Sequence, residues 1–177
     1  MVPEITCPGC GLRMPKSDTA VYHGYFNTSP ECWSVFTEVL GAEFGNAVIF
    51  GQVHQLTVDS YAVQHAGGVH PDKSVAVHLT GLHLVLGRGI RPTNVPKFLQ
   101  LLVADVKTWP NFSPPSHRGR LTAFDVTCTR SMEGHMNAVR AWAGQVWKAW
   151  SEHHGAIADF VDRHLGSRVH VSEYSSS

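Results

Sequence analysis

Residues 53–89, VHQLTVDSYAVQHAGGVHPDKSVAVHLTGLHLVLGRG, hold two helical patterns separated by a Gly/Pro link, with five of the chain's twelve histidines on or between them. In the second pattern Val75, Leu79, Leu82 and Leu86 recur at the four-three-four spacing of one helical stripe. Val77 and Leu84 place apolar groups on the opposite face, which predicts a helix enclosed by protein, with Ala76–Leu86 the most buried segment of the chain. Pro71 suits a first helical position, Asp72 a first turn, and Gly87 and Gly89 a stop. In the first pattern His54, Val58, Tyr61 and His65 share one face while Leu56 and Val63 mark the other. Two such segments in succession predict an all-α fold.

Upstream, Ser29-Pro30-Glu31-Cys32-Trp33 has the chemistry of a helix start, with Ser29 as N-cap and Pro30 in the first turn. That helix should run to about Phe44, where Gly45 and Asn46 end it, and a short link at Asn46–Gly51 should fold the next helix back antiparallel. Downstream, a helix is expected from Pro96 to about Val106, then a proline-rich connection (Thr108–Arg120) long enough for a flexible loop or lid. Thr122 and Asp125 are spaced as a capping box for a short turn. A last long helix from about Ser131 carries His135, Val139, Trp142, Val146 and His153 on one stripe, with a final turn or two beyond it over Ile157–Leu165. The expected architecture is a single-domain bundle of about five helices (29–166), with an N-terminal zinc-knuckle arm (1–28) and a flexible tail (167–177). Ala20–Phe26 is β-prone and reads as a short strand or an extended arm.

Composition narrows the partners. Lys+Arg and Asp+Glu are 14 each, so the chain advertises no polyanion-binding surface and nucleic acid is not an expected partner. No apolar run approaches the length of a membrane span, and the first residues lack a basic and apolar leader pattern; the expected setting is soluble and cytoplasmic.

Cys7-Pro8-Gly9-Cys10-Gly11 is the knuckle form of a metal-binding pair: two thiolates around a glycine-rich turn can grip one ion. A redox dithiol uses the same spacing, but at a helix N-terminus in a βαβ setting that is missing here. Cys32, in a first turn where amide dipoles favour a thiolate, is the natural third ligand, or else a small buried hydrophobe. Antiparallel pairing of its helix with the next places His65 beside Cys32, whereas His54 lies about 16 Å away along the same helix. The expected set is therefore Cys7, Cys10, Cys32 and His65 around zinc, with His70 and His23 as rivals for the fourth place and His54 excluded. Cys128 reads as structural.

The remaining candidates are catalytic. Tyr61 faces inward, His78 flanks the apolar stripe of its helix, and Asp59 is placed to orient an imidazole. His135 or His153 could converge on them as a second interior site. The plain alternatives are hydrogen-bonded core histidines and a capped or solvent-facing Asp59. No HExxH, H-x-E with P-C-x-x-C, Walker, dinucleotide-binding or G-x-S-x-G pattern is present, so protease, deaminase, phosphoryl, hydride and acyl chemistry lack support.

Nearly the whole chain, through CPGCG, SPECW, VHQLTVDSYAVQH, KSVAVHLTGLHLVLGRG and WAGQVWKAWSEHH, resembles an uncharacterised bacterial family known only as a domain of unknown function. The resemblance implies one intact domain and no particular activity; it departs at Ala66, where the family pattern has Pro. Two classes of function fit these readings. One is a small-molecule metalloenzyme with a pocket near His65, Tyr61 and His78. The other is a structural-zinc module that binds a protein or small-molecule partner without catalysis.

Overall fold

The computed structural model describes residues 3–22, 24–166, 168 and 169. His23 and most of the 167–177 tail therefore lie outside the described residues.

The chain is mainly helical. Its first elements are two short antiparallel strands, β1 (Glu4–Thr6) and β2 (Arg13–Pro15), in register Ile5 to Met14. They close the Cys7–Gly11 turn as a small ribbon, a feature absent from the sequence reading. No strand forms among the described residues of the β-prone stretch before Thr28. With no strand beside it, that stretch is held by ring contacts, Tyr22 on Trp33 at 5.5 Å and Phe26 edge-on to Tyr61 at 5.5 Å.

Among the described residues there are seven α-helices rather than about five. The first, α1 (Pro30–Phe44), is capped by Ser29, whose side chain accepts from the Cys32 N–H. Then α2 (Ala47–Gln64) starts several residues earlier than the link expected at Asn46–Gly51, because the Asn46 side chain caps it by accepting from the Val48 and Ile49 amides. The link between the two helices is thus very short, and they run back to back.

The third helix, α3 (Asp72–Leu82), continues into a single π turn, His83–Gly87. That turn explains one departure from the predicted stripe. Val75, Leu79 and Leu82 are buried as expected, but Leu86 is 37% exposed. A π turn holds an extra residue, which rotates the rest of the helix about its axis and turns Leu86 outward, while Leu84 stays buried on the opposite face in a second cluster. Inside it, burial and the neighbouring Arg88 charge push His83 down to about 4. The ring is accordingly neutral and accepts from Arg88 Nε at 3.1 Å.

The most buried segment is not Ala76–Leu86 but the end of α2: Asp59 through Ala66 are all buried. Helices α1, α3 and α6 (Met132–Ala149) pack around it. The smaller helices are α4 (Val95–Asp105), α5 (Ala123–Thr127) and α7 (His154–Leu165). The Thr122/Asp125 capping box is present at α5. Beyond α6 the described chain forms a longer helix than the expected final turn or two, with Gly155 inside the first turn of α7. Apolar side chains of α1, α2, α3, α5 and α6 make one core, and Leu84 joins α4 and α7 in a second. No helix among the described residues is long and apolar enough to cross a membrane.

One close approach fixes the α2–α3 packing. Asp59 is fully buried, and a Cβ at Gly81 would run into its carboxylate, with Cγ only 2.7 Å away. The Asp59 side chain has nowhere to retreat without leaving His78 and Gln55. Gly81→Ala should therefore cost about 2–3 kcal/mol by overpacking, read as a lowered urea midpoint with an unchanged slope.

Candidate metal centre

Three segments converge at the start of α1. The knuckle presents Cys7 and Cys10, with Cys7 N–H donating to Leu12 O at 2.8 Å and Gly11 N–H to Cys7 O at 3.0 Å. The Ser29 cap positions Cys32 in the first turn of α1. His65 closes the C-terminal end of α2. One ligand atom from each of Cys7, Cys10, Cys32 and His65 lies within 4.8 Å of all the others. Cys10 Sγ is 3.7 Å from Cys32 Sγ, and Cys32 Sγ is 3.4 Å from His65 Nε2. A tetrahedral ion with bonds of ~2.3 Å to sulfur and ~2.0 Å to nitrogen requires separations of about 3.8 and 3.5 Å. Both of these separations match that spacing, and the cluster could hold a metal ion.

The imidazole is turned the right way for this. His65 Nδ1 donates to Tyr61 O at 2.7 Å, which leaves the Nε2 lone pair facing the sulfurs. Knuckle and helix meet so closely that a Cβ on Gly9 would collide with Asn27 O and the His65 ring, so only glycine fits there. Electrostatics favour a cation. Hydrogen bonds from Cys10 and Cys32 pull the Cys7 thiol far down, while contact with Cys32 and Cys7 drives Cys10 far up. Three thiols in contact cannot all ionise unaided; a dication removes the conflict. Burial works against a charged His65, but its hydrogen bonds to Cys32 and Cys7 outweigh this and raise it to about 9.

Around the cluster lies a second layer. The Tyr61 ring is stacked between Phe36 at 3.8 Å and His65 at 4.0 Å. Its hydroxyl pairs with Thr28 Oγ1 at 2.8 Å and donates to Cys32 Sγ at 3.8 Å. Burial and the nearby Cys32 charge keep Tyr61 a neutral phenol. Arg118 is the member that sequence reasoning missed. From the proline-rich segment its Nη1 donates to Gly9 O (3.2 Å), Gln64 O (3.0 Å) and Ala66 O (2.9 Å), flanking both the knuckle and His65. That segment, expected to be a flexible loop or lid, is instead clamped here and by the buried Phe112. An arginine within SPPSHRGR carries no periodic signal, and nothing in the sequence points it inward.

The other histidines go elsewhere. His70 donates through Nδ1 to His65 O at 3.2 Å, leaving Nε2 to accept from Ser74 Oγ at 2.8 Å; it sits outside the cluster, and burial holds it down at about 4. His54 pairs with the fully buried Glu43 at 2.6 Å, which also receives Thr57 at 2.5 Å and His135 at 3.2 Å. His78 Nδ1 lies 2.8 Å from Asp59 Oδ1. Asp59 is buried rather than capped or solvent-facing, and burial lifts it above the usual carboxylate value against the pull of His78. His153 reaches Ser113 O at 2.9 Å. Hence Tyr61, His78, His135 and His153 have separate partners and do not converge on one interior site. Cys128 is exposed.

Fold and site together define a mainly helical protein with a Cys3His cluster of metal-binding geometry near its N-terminus. Its family is one of unknown function: the chain belongs to DUF5946, whose family model matches residues 5–151. No curated protein and no solved structure matches the chain.

Proposed function

We propose that Cys7, Cys10, Cys32 and His65 hold one zinc ion as a structural centre, and that this protein is a zinc-stabilised binding module. The observation that carries the reading is the donor count: four protein donors within 4.8 Å of one another fill the four positions of a tetrahedral ion, whereas a catalytic zinc keeps one for water or substrate. Three thiolates and an imidazole suit a borderline-soft ion, and zinc is the usual occupant of such a set. When bound, zinc supplies cross-linking charge, tying the N-terminal arm to α1 and α2. Tyr61 acts here as a positioning residue, bracing His65 and donating toward Cys32.

His65→Ala should lower zinc affinity at least about 100-fold in competition with a chelator, the upper end of what loss of even a supporting group costs. His54→Ala should leave affinity within a few-fold, since its partner is Glu43. X-ray absorption of the loaded protein should give three sulfurs and one nitrogen. Equal losses in the two variants would overturn the ligand assignment, and an added light-atom ligand in the absorption spectrum would overturn the structural role.

A second reading, small-molecule catalysis away from the metal, has one observation in its favour. Asp59 accepts from His78 Nδ1, the arrangement that turns an imidazole Nε2 into a base.

A further inference from the structure

The clamped proline-rich segment forms one wall of a groove whose other wall is the C-terminal end of α6 and the turn after it. The cavity is about 820 Å³, within the range of small-molecule sites. It is built from stitched parts. Gln145 Oε1 accepts from the backbone N–H groups of Arg120 at 2.9 Å and Leu121 at 3.1 Å. His153 Nε2 donates to Ser113 O at 2.9 Å across the gap. Behind the wall, Arg118 anchors to Gly9, Gln64 and Ala66, and Gln64 Nε2 donates to Arg118 O and Leu121 O. These bonds use up backbone groups and leave the groove's charged side chains for a ligand.

Arg120 and Lys148 line the groove, and neither forms an ion pair among the described residues. Glu152 is the one carboxylate in the lining, so the fixed charge is net positive. Pro114, Pro115 and Ala149 supply rigid apolar surface beside the cations. We propose that this groove binds a small organic anion, an apolar body bearing a phosphate or a carboxylate, with Arg120 and Lys148 recognising the charge. The proline wall and its clamp limit the ordering cost of binding.

The test uses the full chain with its metal and three probes of one shape: phenyl phosphate, benzoate and benzylammonium. Two-dimensional NMR should show saturable shifts at Gly119, Arg120, Lys148 and Ala149 with phenyl phosphate, benzoate or both, and none with benzylammonium. Whichever anion binds more tightly identifies the headgroup. The R120Q/K148Q variant, altered at two exposed positions, should keep its melting temperature and bind at least tenfold more weakly, while E152Q should bind more tightly. No saturable shift with either anion would overturn the proposal. So would equal binding of benzylammonium, or an unchanged affinity in R120Q/K148Q.

Discussion

Cys10→Ser protein, or the wild-type chain stripped by a strong chelator, is expected to contain no zinc and to melt at least about 10–20 °C below the zinc-loaded chain. Cys7 and Cys32 are each 1% exposed, as is His65, so without the ion their polar atoms face one another in a dry site. Structural zinc contributes roughly 10–16 kcal/mol to the folding of small metal domains. The whole stability of a domain is only about 5–15 kcal/mol. Even if half of the zinc contribution were offset by residual packing, about 5 kcal/mol should remain, or on the order of 10–20 °C in Tm for a chain of this size. Zinc by mass spectrometry and ellipticity at 222 nm on the same samples would check it. Full loss of zinc with an unchanged Tm would mean that the arm is held by its aromatic contacts alone.

Arg118→Ala should be the next most damaging change. One guanidinium nitrogen serves three carbonyls, those of Gly9, Gln64 and Ala66. Burial pulls Arg118 down from its ordinary value, and the Cys10 and Cys7 charges beside it pull the other way. Hydrogen bonds from charged donors contribute about 1.5–3 kcal/mol each, and shared ones less than their sum, so a loss of about 3–5 kcal/mol is expected. Arg118→Lys should recover only part, because an ammonium cannot reproduce the planar fork. The change should also weaken zinc retention, since the knuckle and His65 lose a common brace. Urea unfolding and chelator competition on the same variants separate the two effects; a stability change below about 1 kcal/mol, less than one charged hydrogen bond, would show the clamp to be ornamental.

The helical class, the boundaries of α1, and the convergence of Cys7, Cys10, Cys32 and His65 are legible in the sequence because each rests on local chemistry or on one geometric step. Antiparallel helices joined by a short link pair residues whose numbers have a constant sum: 32 with 65, and equally 43 with 54. The second pair comes from the same step, yet Glu43 escapes notice because an acidic residue near a helix end reads as solvated. The π turn is hidden for a different reason. Periodicity assumes a constant 3.6 residues per turn, and one inserted residue moves Leu86 outward without changing the composition. Arg118 and the β1–β2 ribbon depend on long-range placement that no local pattern encodes.

The position of the four donors along the chain also bears on the order of biosynthesis. All lie within the first 65 residues, while α6, which encloses α2, begins at Met132. At about 5–20 residues per second, roughly 3–13 s separate emergence of the complete donor set from arrival of the helix that buries it. A nascent chain with its ion in place would present a pre-formed platform to α6, and Arg118, emerging just before that helix, would lock the platform from outside. Metal supply during translation, rather than after release, would then govern how much of this protein reaches its native state.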